Sequence, residues 1–201
     1  MRRFAVAALF TGMFVAITWP AQAFAQGRFD PRRQARFMID ATVGYTLITG
    51  DVGDSLDGGP AFEAAALYQF ESVPLRVGGG AGYSRHGIQE EDAAANRYEV
   101  FALADLLLFS EDTQMIPYIQ GRVGWMQISN DLDAVSTTIS GLELAALVGV
   151  DIPVAESISI DVTGQFGWFT GGDLNIDGVS VPGTSRSGSL FSLRAGAFFF
   201  L

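Results

Sequence analysis

Cysteine and lysine are absent from this 201-residue chain, and histidine occurs once, at His86. Without cysteine there is no disulfide framework, no thiolate metal site and no residue to carry a lipid anchor. A single histidine leaves little for zinc or redox chemistry, and no cofactor is expected. All 12 cationic residues are arginine, against 22 carboxylates, and the formal net charge is −10. Nothing resembles a basic patch, so nucleic acid is not an expected partner. Past residue 25 long apolar runs are missing too, and none nears the roughly 20 residues that a spanning helix needs. Yet 49% of the residues are hydrophobic, with 16 Phe and 24 Gly. Apolar content spread without long runs implies many short strands, and the glycines suit turns and a tight barrel interior.

The one helix-like apolar run lies at the start, Phe4 to Trp19, behind Arg2 and Arg3 and ahead of Pro20-Ala-Gln-Ala-Phe-Ala25. A positive n-region, a short apolar stretch and small residues spaced A-x-A describe a secretory signal peptide over 1–25, cleaved after Ala23 or Ala25. Residues 26–34, with Pro31, Arg28, Arg32 and Arg33, read as a periplasmic lead-in, either solvated or touching anionic head groups. The remainder, 35–201, fits one domain.

From Ala35 a period of two sets in, the period of a strand. Phe37, Ile39, Ala41, Val43, Tyr45 and Leu47 alternate with Met38, Asp40, Thr42, Gly44 and Thr46. Six further stretches follow, five of them with the same contrast. Phe62 to Phe70 sets an apolar face against Glu63 and Gln69, and Leu75 to Tyr83 sets one against Arg76. Arg97 to Phe109 is apolar on both faces, with Glu99 and Asp105 fixing its register. Ile119, Val123 and Trp125 oppose Gln120 and Arg122; Leu142 to Val150 opposes Glu143 and Asp151; Ile158 to Trp168 opposes Asp161, Thr163 and Gln165. The eighth strand is Ser189 to Leu201, where Phe191, Leu193, Ala195, Ala197, Phe199 and Leu201 form one apolar face and Arg194 stands on the other.

Between the strands, four stretches read as long loops: Gly50 to Pro60, the region of Gln89 to Asp92, Ser129 to Ser140, and Gly171 to Gly188. They alternate with short turns at Glu71 to Pro74, Glu111 to Gln114 and Pro153 to Glu156. Outward aromatics gather near the strand ends, Phe62, Tyr83, Tyr98, Trp125, Trp168 and Phe191 at one end and Phe37, Phe70 and Phe199 at the other. Two aromatic girdles at head-group level would account for that placement. These features predict an all-β, eight-stranded antiparallel up-and-down transmembrane β-barrel. A soluble barrel or sandwich with its faces turned the other way has the same periodicity, so alternation alone does not decide between them.

In face and spacing the stretch 35–201 resembles the small eight-stranded bacterial outer-membrane barrels of the OmpA-barrel, OmpX and opacity-protein type. The resemblance implies a place in the cell outer membrane, with long acidic loops outside and both termini periplasmic. It implies outer-membrane lipids and lipopolysaccharide as surroundings. The aromatic-rich last strand, with Phe191, Leu193, Phe199 and Leu201, resembles the segment that the barrel-assembly machinery reads in that family. The usual terminal Phe is replaced here by Leu201. No peptidoglycan-binding domain is expected after the eighth strand.

An eight-stranded interior is only wide enough for side chains. The inward charges Asp40, Glu63, Arg76, Glu99, Asp105, Arg122, Glu143, Asp151, Asp161 and Arg194 should therefore pair and plug the lumen. Ser84-Arg85-His86 places a hydroxyl and an imidazole on one face of a strand, as a hydrolase pair would be. Lipid A deacylases are similar small barrels with the reverse order and a Glu, but no acid is placed here, and a rim polar pair is the simpler reading. Asp173-Leu-Asn175-Ile-Asp177-Gly178 matches the opening of a calcium loop, yet Thr184 stands where the closing Glu belongs. The expected protein is therefore non-enzymatic, with a role in envelope integrity, adhesion or another surface interaction. A lipid A-modifying enzyme acting at the rim and a narrow small-solute channel are the alternatives.

Overall fold

The computed structural model describes residues 36–71, 73–89, 93–108, 115–132 and 135–201. The signal peptide and lead-in expected over 1–34, and the polar stretches at 90–92 and 111–114, lie outside the described residues.

Eight long strands run antiparallel: β1 Arg36–Gly50, β2 Gly59–Gln69, β3 Leu75–Gly87, β4 Ala94–Leu107, β5 Ile116–Leu132, β6 Val135–Ala155, β7 Ile158–Gly171 and β10 Ser187–Phe200. Two short strands, β8 Leu174–Ile176 and β9 Val179–Val181, belong to the loop between β7 and β10. Each long strand pairs with its sequence neighbours, β5 with β6 included, and β10 pairs with β1 from Met38↔Phe200 to Gly50↔Gly188. The sheet therefore closes on itself. Closure is what removes the unpaired N–H and C=O groups that an open edge would present.

Alternation dictates which face is which. In β7 every second residue from Ser159 to Phe169 is buried, and Ile160, Val162, Phe166 and Trp168 between them are exposed. Around the outside stand Phe37, Val43, Phe62, Val100, Trp125, Leu144 and Leu193, each about half exposed or more, with Leu193 at 66%. Arg76, Glu99, Asp105, Glu143, Asp161 and Arg194 are at most 5% exposed. The charged face is thus the inner one and the apolar face the outer one, the reverse of a soluble barrel. Aromatics on the outer face touch across strands, Phe37 with Tyr68 at 5.0 Å between ring centroids, Tyr83 with Tyr98 at 5.3 Å and Phe166 with Phe191 at 5.0 Å.

The connections differ from the sequence expectation. Ser129 to Ser140 is not a long loop. β5 and β6 continue through it, pairing from Ser129↔Thr138 to Leu132↔Val135, with only 133–134 between them. The segment carries β-branched Val135, Thr137, Thr138 and Ile139, which suit an extended ladder, and its polarity needs only that the hairpin rise clear of the apolar band. The second loop spans just 88–93. The fourth holds the β8–β9 hairpin, turned at Asp177-Gly178, both with positive φ (51° and 84°). An Asp-Gly pair in that conformation is a preferred two-residue hairpin turn. β4, apolar on both faces by sequence, is Ala94–Leu107, with Phe101 and Leu103 turned inward. β6 continues past Pro153 to Ala155, with an irregularity in its pairing between those two residues.

Candidate functional site

The lumen is filled in layers. Near its middle, seven side chains from six strands form a closed circuit. Arg97 Nη2 reaches Glu99 Oε2 at 2.6 Å and also Glu143 Oε2. Glu99 Oε2 meets Arg122 Nη2 at 2.5 Å, and Arg122 Nη1 meets Glu63 Oε2 at 2.9 Å. Glu63 pairs in turn with Arg194, Arg194 donates to Gln165 Oε1, and Gln165 Nε2 donates to Glu143 Oε1 at 3.2 Å. Three guanidiniums and three carboxylates cancel. Charge removed from water is tolerated when paired and hydrogen-bonded, and every charge of the circuit is paired, with Arg97 Nε and Arg122 Nε left without a hydrogen-bond partner among the described residues.

Space for this circuit comes from glycine. At Gly82 of β3 a Cβ would fall against Glu99 Oε1 and lie 2.9 Å from Glu63 Cγ. Phe101, inward on β4, backs the circuit with its ring 3.5 Å from Arg122 Cζ.

Towards the end where β2 turns into β3 lies a second polar group. Arg76 approaches Asp105 at 3.0 Å and Asp151 at 3.2 Å, with its guanidinium over the rings of Tyr118 (4.9 Å) and Phe198 (4.6 Å). Asp161 accepts from the Tyr118 hydroxyl at 2.7 Å and from Thr163. Asp40 faces the same chamber, with Oδ1 buried and without a hydrogen-bond partner among the described residues. Met38, Leu67, Phe101, Leu103 and Phe198 form an apolar cluster alongside. The cavity left among these groups is about 20 Å³, room for roughly one water. The lumen is a mixed polar and apolar plug.

At the opposite mouth the loop after β1 folds inward. Val52 and Leu56 join Ile48, Met126, Ile128 and Phe169 in a buried cluster, and one turn of 3-10 helix, Gly53–Ser55, carries the chain across. Asp57 N–H donates to Gly87 O at 2.8 Å and Gln89 N–H to Ser55 O at 3.0 Å. His86 fixes the same loop. Its Nδ1 lies 3.0 Å from the Asp57 carbonyl and its Nε2 2.9 Å from Ser84 Oγ. With Nδ1–H donating to the carbonyl, Nε2 accepts from the Ser84 hydroxyl. The group that orients the imidazole is thus a backbone carbonyl, and both side chains are 0% exposed. The pair resembles a nucleophile and base in distance, and neither side chain is exposed to solvent.

Asp177 accepts from Ser136 N–H at 2.9 Å and its own N–H bonds Ser136 O, so it ties the β8–β9 hairpin to β6. The Asp173, Asn175 and Asp177 series is a hairpin whose acids do not converge, and no group of three or more metal-ligating side chains occurs among the described residues. Sequence reading left Arg97 and Tyr118 out of the lumen network, and it placed Gln165 on the polar face of its strand without naming it a member. Arg97 has the same parity as Glu99 and Asp105, so the alternation already places it inside.

No family model matches the chain, and no curated protein matches it. Solved structures do. Neisserial surface protein A (NspA) is 19% identical with a TM-score of 0.63, over 81% of this chain and 96% of that one. The outer membrane protein OprG from Pseudomonas aeruginosa is 11% identical with a TM-score of 0.55, over 86% and 99%. A major outer membrane protein from Thermus thermophilus is 16% identical with a TM-score of 0.52, over 83% and 99%. By fold, this chain is a closed eight-stranded antiparallel barrel of the kind found in small bacterial outer-membrane proteins.

Proposed function

We propose that this protein is an integral outer-membrane barrel with no passage through it, whose loop end serves envelope integrity or surface interaction and carries out no catalysis. One observation carries the reading: on the eight long strands the charged side chains between the aromatic ends face the interior, the outward positions there carry none, and the exposed Arg85 of β3 lies beyond Tyr83 at the loop end. A continuous apolar exterior of this kind is stable against hydrocarbon and a liability in water. Outer-membrane lipids and lipopolysaccharide would surround it, and the barrel-assembly machinery would insert it. The loop after β1, the β5–β6 hairpin and the β8–β9 hairpin would face outward, with both chain ends in the periplasm. The neutral charge circuit and the small residual cavity support a plug over a channel.

Fractionation of the producing cells tests the location, with electrophoresis of boiled and unboiled samples as the readout of a folded barrel. The protein should sediment with outer membranes and shift in mobility on boiling. Recovery as a soluble periplasmic protein contradicts the reading. Planar-bilayer recording tests the plug. Steady, porin-sized openings from purified protein contradict it.

A further inference from the structure

A cavity of about 230 Å³ opens at the loop-end mouth, above the apolar cluster that stoppers the lumen. Its floor and walls include Val52 and Leu56 from the first loop, Ile128 and Ile139 from the β5–β6 hairpin, and Leu174 from β8. Its polar lining is Asp51, Ser55, Asn130, Thr137 and Arg186, with Asp51 the one carboxylate. The exposed Asp51 carboxylate takes only long bonds from Ser187, 3.4 Å from N–H and 3.3 Å from Oγ. Asn130 Oδ1 at the wall is buried without a hydrogen-bond partner. Arg186 is the only cation in the lining, and its Nη1 already donates to the Asp51 carbonyl at 3.3 Å. Around it, among the described residues, exposed Asp54, Asp57 and Asp177 stand against the exposed Arg85 at the end of β3.

We propose that this mouth cavity is a binding site for small primary amines with an apolar body. An apolar cavity of about 150 Å³ holds a benzene molecule, so one of about 230 Å³ suits roughly nine non-hydrogen atoms. The body lies on Val52, Leu56, Ile128 and Ile139. An ammonium head offers three donors and no acceptor, matching Asp51 and the oxygens beside it. The acidic loops raise the local concentration of cations and lower that of anions. A carboxylate of the same size would meet Asp51 and that field. The site lies outside the lumen plug, and its occupancy requires neither a channel nor a macromolecular partner.

Three probes of nearly equal size separate the contributions: phenethylamine, 2-phenylethanol and phenylacetate, titrated into the full protein in lipid nanodiscs, with the methyl resonances of Ile128, Ile139 and Leu174 as the readout. Phenethylamine should shift these methyls saturably, with a half-saturation at least fivefold below that of 2-phenylethanol and further below that of phenylacetate. Asp51→Asn should bring the amine to the alcohol's level. Ala95→Leu, which fills the cavity, should abolish the shifts. Should that variant lose the mobility shift of a folded barrel, Ser55→Leu on the exposed turn replaces it. Equal or tighter binding of the alcohol or the carboxylate, no saturable shift with the amine, or shifts that survive cavity filling would each overturn the proposal.

Discussion

Arg122 and Glu63 belong to strands separated by two others, and their side chains meet in the lumen, Nη1 to Oε2 at 2.9 Å and Nη2 to Oε1 at 3.3 Å. The contact spans the interior. It holds together parts of the wall that the backbone ladder links only through β3 and β4.

Glu63 also carries the pairing of Arg194, which has no second carboxylate partner among the described residues. Glu63→Leu should therefore strand a buried guanidinium and cost about 3–5 kcal/mol. Adding Arg194→Met removes the stranded charge and should recover part of that loss. Urea unfolding of the vesicle-embedded protein, followed by gel mobility, measures both. A double variant no more stable than the single one would show that the ion pairing is incidental.

Gly82→Val should destabilise by about 1–3 kcal/mol, the range for overfilling a packed interior, because the new carbons take the place of the Glu99 and Glu63 side chains. Gly121 faces outward, and a Cβ there meets nothing within 4 Å. Gly121→Val should be neutral or slightly favourable in the same unfolding experiment. Equal effects at the two positions would contradict the assignment of faces.

Removing Phe199, Phe200 and Leu201 deletes the rungs Ile39↔Phe199 and Met38↔Phe200 and the bond from Leu201 N–H to Phe37 O at 2.9 Å. The seam between β10 and β1 then opens at one end, and insertion should fail. Protease resistance in isolated outer membranes is the readout. A truncated protein that inserts and resists protease as the full chain does would show that these residues are dispensable.

Ser84 and His86 are expected to act as a latch for the first loop. His86→Ala should leave the loop over 51–58 open to protease, while Ser84→Ala changes it less. Neither should alter lipid A. Mass spectra of lipid A from cells with and without the protein provide the check, and acyl chains lost only in the presence of intact Ser84 would establish an enzyme.

Much of the barrel was legible because a strand has one period and this chain keeps it. The faces of β1, β2 and β7 followed from parity alone, and parity also gathered the predicted lumen charges on one face of each strand, but which face turns inward did not follow from alternation. Four things were not legible. The β5–β6 hairpin hid behind polar residues, since a strand that rises into water loses the apolar contrast that marks one inside a membrane. β4 had no contrast either, because Phe101 and Leu103 fill the interior as the outward residues fill the surface. The pairing pattern needed coordinates: parity places Arg97 inside, but not beside Glu143, which lies on a strand that β5 separates from it. The mouth cavity is likewise made by a loop folding inward, and no spacing in the sequence marks that fold.

The central claim is that the apolar face meets lipid and the charged face is enclosed, and a chain without cysteine lets single cysteines report it directly. Val43, Val123, Leu144 and Val162 would each be replaced by cysteine, as would their neighbours Thr42, Arg122, Glu143 and Thr163, and labelled with an environment-sensitive fluorophore. Quenching would then be measured with lipid-borne and with water-soluble quenchers. The lipid-borne quencher should act on the first set and spare those members of the second that still fold. Quenching with the opposite parity, or by the water-soluble quencher alone at the first set, would contradict a membrane barrel.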